Sequence, residues 1–184
     1  MKKKYIIWIA VAVVLLAAVI ITAVLLTNKK NAPFKNKVSD SLPDYESAEM
    51  YSNSGEIKLI KYGKYTYKDV TDEILSKNEY LKKLDLSTLD VVAIDTIVTA
   101  TERFDLMLGK LDSENSESVA DLTANFDFDL GSVRAPNYFY VETVTGGKTD
   151  ETPSPDTCDE FSLYYFDVDA QILYYFYVNQ KGIN

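Results

Sequence analysis

Apolar and polar positions divide the chain into two unlike parts. Tyr5 to Leu26 form one unbroken uncharged run, in which Thr22 is the only markedly polar residue. Its 22 residues would reach roughly 33 Å as a helix, enough to cross a bilayer core of about 30 Å. Tyr5 and Trp8 sit where interfacial aromatics belong, and lysines flank both ends. The pattern predicts a transmembrane helix over residues 5–27. A cleaved secretory signal would have a shorter apolar core of about 7 to 15 residues and a small-residue cleavage site, and none is evident here.

Beyond this run the periods change. Asn28 to Pro43 has no apolar period and reads as a basic linker, and Asp44 to Ser54 reads as irregular. Glu56 to Tyr62 is the first strand expected, with Gly63-Lys64 turning the chain into Tyr65 and Tyr67. A helix is expected from Thr66 and Asp69, carrying Val70, Ile74, Leu81 and Leu84. Ser87 and Asp90 open a second, with Ala93, Ile97, Ala100, Phe104 and Leu108 on one face and Gly109 as its stop. Its many β-branched residues argue against helix, but the caps and the face agree with each other. Leu111 to Asn125 reads as a polar connector with one turn near Val119 to Leu122. Phe126, Phe128 and Leu130 alternate with aspartates as a half-buried strand would. Tyr138 to Thr145 is a further strand, followed by a polar loop from Gly146-Gly147 through Cys158. Phe161 to Phe166 and Ile172 to Val178 form the strongest β signal, a terminal hairpin.

This order predicts an α+β domain over residues 44–184, with two helices packed on one face of an antiparallel sheet. By fold analogy alone it is similar to cystatin-like or NTF2-like cones, in which helices lie in the hollow of a curved sheet. No motif here is specific to either.

Charge sharpens the division. Residues 1–37 hold seven lysines and no acid, leaving 12 basic against 28 acidic residues and a net charge of −16 for the remainder. Such a domain is repelled by nucleic acid, so no nucleic-acid partner is expected. Lys2, Lys3 and Lys4 make the denser basic cluster, which places residues 1–4 in the cytoplasm and the domain outside. Ala18 and Thr22 offer a small-residue spacing for helix association, a weak signal beside simple anchoring.

Candidate chemistry is sparse. The chain has no His and a single Cys, Cys158. Ser-His-Asp and Cys-His catalysis are therefore excluded within the chain, as is an ordinary structural zinc site, and no cofactor is expected. Cys158 lies among Asp156, Asp159 and Glu160, which oppose thiolate formation. Asp127/Asp129 and Asp167/Asp169 are spaced to share a strand face, as Ca²⁺ ligands or a glycoside-cleaving pair would require, but solvated carboxylates are the stronger reading, since no EF-hand loop spacing follows either pair.

The aromatic content is more informative. Thirteen of the fourteen tyrosines lie beyond the apolar run, several in consecutive groups, so both faces of their strands carry rings. If helices cover one face, the other is a tyrosine platform suited to recognition. In the last strand Ile172, Phe176 and Val178 are expected to face the helices, leaving Leu173, Tyr175 and Tyr177 as the candidate contact residues. The functional expectation is a non-enzymatic, membrane-anchored extracytoplasmic domain that binds a protein, peptide or glycan, held to membrane lipid by its N-terminal helix. An immunity-type protein neutralising a basic toxin and a carboxylate-based cell-envelope hydrolase are the alternatives.

Overall fold

A computed structural model describes residues 36–85, 91–150 and 154–181. The expected membrane span and the Ser87 cap lie outside the described residues. Among the described residues no helix is long and apolar enough to cross a membrane.

The elements run α1 (Lys37–Asp40), β1 (Ser47–Ser52), β2 (Ile60–Thr66), α2 (Asp72–Ser76), β3 (Lys82–Lys83), α3 (Val91–Glu114), α4 (Ala120–Asn125), β4 (Tyr138–Thr145), β5 (Lys148–Asp150), β6 (Glu160–Asp167) and β7 (Ile172–Asn179). All strand pairings are antiparallel, in the order β1-β2-β7-β6-β4-β3, with β5 also on β4. The domain is α+β, as the periodicities predict.

Alternation along each strand sends one set of side chains to each face of the sheet. Ile60, Tyr62, Phe161, Leu163, Tyr165, Phe176 and Val178 pack on the first face, beneath Ala93, Ile97, Ala100 and Phe104 of α3 and Leu122 of α4. Tyr65, Phe166, Leu173, Tyr138 and Tyr164 pack on the second face, beneath Val38 of α1, Leu75 of α2, and Leu42, Val70 and Leu81. The helices therefore divide between the two faces instead of sharing one. A segment read as linker accounts for part of this. Asn36 caps α1 by accepting from the Ser39 N–H at 2.7 Å and donates to the Tyr65 hydroxyl at 2.9 Å. Val38 is fully buried.

Several local expectations are corrected. Gly63 is no turn. It lies mid-strand in β2, paired with Met50 of β1 and Tyr175 of β7. Its missing side chain makes room: a Cβ there would lie 2.0 Å from the Met50 sulfur and 3.2 Å from the Glu49 carbonyl oxygen. The partner of β2 is therefore Ser47–Ser52, inside the stretch read as irregular. We predict that Gly63→Ala destabilises the domain by about 1–3 kcal/mol, the usual cost of overpacking. Met50→Ala should relieve part of that cost, and urea melts of the two single variants and the double variant would measure the coupling. Additive losses would refute the steric account.

The first helix is shorter than expected. Thr66 ends β2, and α2 begins at Asp72, capped by the Thr71 hydroxyl accepting from the Ile74 N–H. In α3 the expected face is buried, and the helix runs through Gly109 to Glu114. A Cβ at Gly109 would meet nothing within 4 Å, so no stop is imposed there. Phe126 to Leu130 pairs with no strand, and its alternation holds only in part: Phe128 is buried and Asp127 and Asp129 are exposed, but Leu130 is exposed as well. Gly146 and Gly147, both at positive φ, form the tight turn that returns β5 onto β4.

Candidate functional site

The second sheet face is not uniformly covered. Tyr138, Phe166, Leu173 and Tyr65 lie side by side across β4, β6, β7 and β2, and all are fully buried. Next come Tyr140, Tyr164, Tyr175, Gly63 and Met50, of which only Tyr140 is half-buried. The third row is Glu142, Ser162, Tyr177, Lys61 and Ser52, and every member is half-buried. The face thus opens progressively from the α1/α2 side toward the Glu142 row.

This gradient sorts the three candidate contact residues. All lie on the face opposite Phe176, as alternation requires. Leu173 and Tyr175 are buried, at 0% and 6% exposure, so they are core residues and offer no contact surface. The physical reason is long-range: α1, α2 and the segments beside them supply the cover. Tyr177 alone reaches the open row.

The open row carries a repeated arrangement of tyrosine, carboxylate and lysine. The Tyr177 hydroxyl donates to Glu160 at 2.9 Å, and the Lys61 ammonium sits 4.6 Å from the Tyr177 ring centroid. Nearby, the Lys37 ammonium donates to Glu142 at 2.8 Å and lies 4.9 Å from the Tyr140 centroid and 5.3 Å from that of Tyr80. Each arrangement joins an aromatic face to a carboxylate, and the quadrupole and the charge attract a cation together. Burial works against the charge on Lys37, but the Glu142 and Tyr140 interactions outweigh it and its pKa is raised. Lys61 has its pKa lowered, by burial first and by neighbouring Lys58 second. Burial and the Glu160 carboxylate push Tyr177 up to about 12, so its hydroxyl stays a donor at physiological pH.

Sequence reasoning found Tyr177 but missed Glu142, Glu160, Lys61, Lys37, Tyr80 and Tyr140. A usable signal was present. Glu142 follows Tyr140 by two positions, so the two share a face, and a carboxylate on an otherwise aromatic strand face marks where water reaches it.

The aspartate pairs do not converge. Asp127 accepts from the Tyr62 hydroxyl at 2.7 Å and Lys64 at 3.0 Å, whereas Asp129 accepts from the Gly131 N–H at 2.9 Å. Asp167 accepts from the N–H groups of Asp169 and Ala170 in the hairpin turn, and Asp169 pairs with Arg134. Among the described residues no group of three or more Cys, Asp or Glu is placed to hold a metal ion. Cys158 lies in the loop before β6, as expected, but is buried against the first core, and burial first, with Asp159 contributing, raises its thiol pKa.

Asp127 predicts a pH effect. Burial opposes its charge, yet the Tyr62 and Lys64 hydrogen bonds outweigh this and its pKa is lowered. A depressed folded-state pKa contributes stability above the unfolded value of about 3.9 and loses it as pH falls through the folded value. Asp127→Asn should therefore flatten the stability loss below about pH 4 and cost under about 1 kcal/mol at pH 7, since the carboxylate is largely solvated. Urea midpoints at pH 7 and pH 3 would check it; parallel losses in both proteins would contradict it.

These features define an α+β domain with two covered sheet faces and one partly open row in which Tyr177 lies among two carboxylates and two lysines. Comparison with family models, curated proteins and solved structures finds no match.

Proposed function

We propose that the protein is a membrane-anchored, extracytoplasmic, non-enzymatic binding domain, and that its partner presents basic side chains to the Glu142–Ser162–Tyr177 row. The carrying observation is that both tyrosine–carboxylate arrangements on this face already hold ammonium groups, those of Lys37 and Lys61. The surface has the chemistry of a lysine or arginine seat, and it lies in a domain whose acidic charge would steer a basic partner toward it. Anchoring rests on the uncharged run over residues 5–27 and its flanking lysines, and outward orientation on the Lys2-Lys3-Lys4 cluster. A basic toxin is one form such a partner takes, and the same surface would then confer immunity.

The test is site-specific photo-crosslinking in native membranes. A photoreactive aromatic residue at Tyr177 should trap one basic protein, and the adduct should disappear with Glu160→Lys. A probe at Leu106, exposed on α3, should not trap it. Equal trapping at both sites, or none at Tyr177, would remove the binding reading. Protease added to wall-stripped cells should digest the domain; full protection until lysis would reverse the orientation.

A further inference from the structure

β1 forms one border of the sheet and pairs only with β2. The direction of its backbone groups follows from the neighbouring ladder. At the two ends of the β2–β7 pairing the Tyr67 N–H donates to the Gln171 carbonyl and the Asn179 N–H to the Leu59 carbonyl. The odd-numbered residues of β2 therefore bond to β7, and Tyr62, Lys64 and Thr66 bond to Tyr51, Glu49 and Ser47 of β1. The Asn53 N–H, which donates to the Ile60 carbonyl, continues that phase. Ala48, Met50 and Ser52 thus turn their N–H and C=O groups outward, and among the described residues nothing bonds to them there. α4 packs on the first face through Leu122 and makes no backbone hydrogen bond to β1.

An open edge is a template for a further strand. Ser-Ala-Glu-Met-Tyr-Ser carries no Pro and no Lys to discourage one, and its single charge, Glu49, has Lys64 at 3.6 Å. Two features identify β1 of a second copy as the strand that fits. The first is a self-complementary register. In two-fold antiparallel pairing centred on Met50, Ala48 lies opposite Ser52 of the second copy, and Glu49 opposite Tyr51 of the second copy. Phenol and carboxylate already suit each other within one chain, where the Tyr51 hydroxyl donates to Glu49 at 3.2 Å. Centring on Glu49 instead would set two carboxylates directly opposite in a close pair, so charge selects the Met50 register. The second feature is apolar. Tyr45 and Ile57, 39% and 69% exposed, flank the two ends of β1, and an antiparallel partner brings the Tyr45 end of one copy to the Ile57 end of the other.

We propose that two copies of the chain pair through β1 in the Met50-centred register, joining their sheets into one. The opposite border of the sheet is divided between the short strands β3 and β5, so each copy offers one continuous edge and the assembly closes at two. The pairing does not depend on the binding role given to the tyrosine row.

Cysteine pairing gives a register-specific test. Opposite residues of a hydrogen-bonded antiparallel pair lie about 5.5 Å apart at Cα, within disulfide reach. In the full chain dispersed in detergent, an equal mixture of Ala48→Cys and Ser52→Cys molecules should cross-link on mild oxidation. Neither variant alone should, because like positions are then four residues apart along the pair, roughly 14 Å. The native Cys158 is buried and does not compete. Sedimentation of the unaltered chain should show a dimer with a dissociation constant of about 100 µM, strengthened by a several-fold rise in salt because the two acidic domains repel each other. Ala48→Pro removes an outward N–H and no β1–β2 bond, so it should weaken the dimer roughly tenfold and leave the urea midpoint unchanged. If that variant lowers the midpoint, the cross-link alone decides. No cross-link in the mixture, equal cross-linking in either variant alone, or an undiminished dimer in a folded Ala48→Pro chain would overturn the proposal.

Discussion

Phe176→Ala is expected to destabilise the domain by about 3–5 kcal/mol, a large fraction of the roughly 5–15 kcal/mol that a domain of this size possesses. Phe176 is fully buried in β7. Its ring centroid lies 5.4 Å from that of Tyr62, 5.4 Å from Phe104 and 5.0 Å from Phe128. These rings come from β2, from α3 and from the extended segment after α4, so one truncation loosens three elements. The cavity could not close by shifting a single neighbour. Phe176→Leu keeps most of the volume and should cost under about 1.5 kcal/mol, apart from the lost edge contacts. Urea denaturation of both variants would measure the difference; equal losses would mean that the aromatic cluster is not what stabilises this core.

The second large effect is expected at Asn137, where packing is secondary and hydrogen bonding dominates. Asn137 is 1% exposed and precedes β4. Its side-chain oxygen accepts from the Val168 N–H at 2.9 Å, and its amide donates to the Tyr165 hydroxyl at 2.7 Å and the Ser132 carbonyl at 3.2 Å. The amide thus joins the β6–β7 turn to the loop that leads into β4. Asn137→Leu would leave the Val168 N–H without this acceptor, and a buried orphan donor costs about 1–3 kcal/mol, to which the lost Tyr165 contact adds. We expect about 3 kcal/mol in total. Tyr165→Phe should cost less, because it removes a hydroxyl but leaves the Asn137–Val168 bond. Amide exchange would localise the effect: faster exchange at Val168 is expected in Asn137→Leu, and unchanged exchange there would argue against this role.

Legibility in the sequence followed how local each determinant was. The α3 face could be read because Ala93, Ile97, Ala100, Phe104 and Leu108 recur at helical spacing and all turn to one core. The terminal hairpin was legible for the same reason at period two. β1 was not, because it pairs on only one side and buries only Met50, so Ser47 to Ser52 carries almost no apolar pattern. Gly63 misled because glycine in a sequence suggests positive φ, whereas here it provides space for a side chain from a neighbouring strand. Phe126 to Leu130 misled differently. Alternation reports that one side faces a core and says nothing of a ladder partner, and this segment covers the sheet instead of joining it. The candidate site failed at Leu173 and Tyr175 because their cover comes from α1 and α2, far earlier in the chain, which no pattern within β7 can reveal.

The outer edge of β4 bears on how the domain behaves at high concentration. β3 pairs with its first two residues and β5 with its last three, so only Tyr140 to Glu142 lack a partner strand on that side. β3 itself consists of two exposed lysines. An unguarded strand of this aromatic content would be a template for intermolecular pairing, the more so at high local concentration. Two short strands, one of them charged and the other folded back through a glycine turn, break that template into pieces too small to propagate a fibril. Copies of the domain can therefore be crowded together without its richest aromatic strands nucleating aggregation along this border.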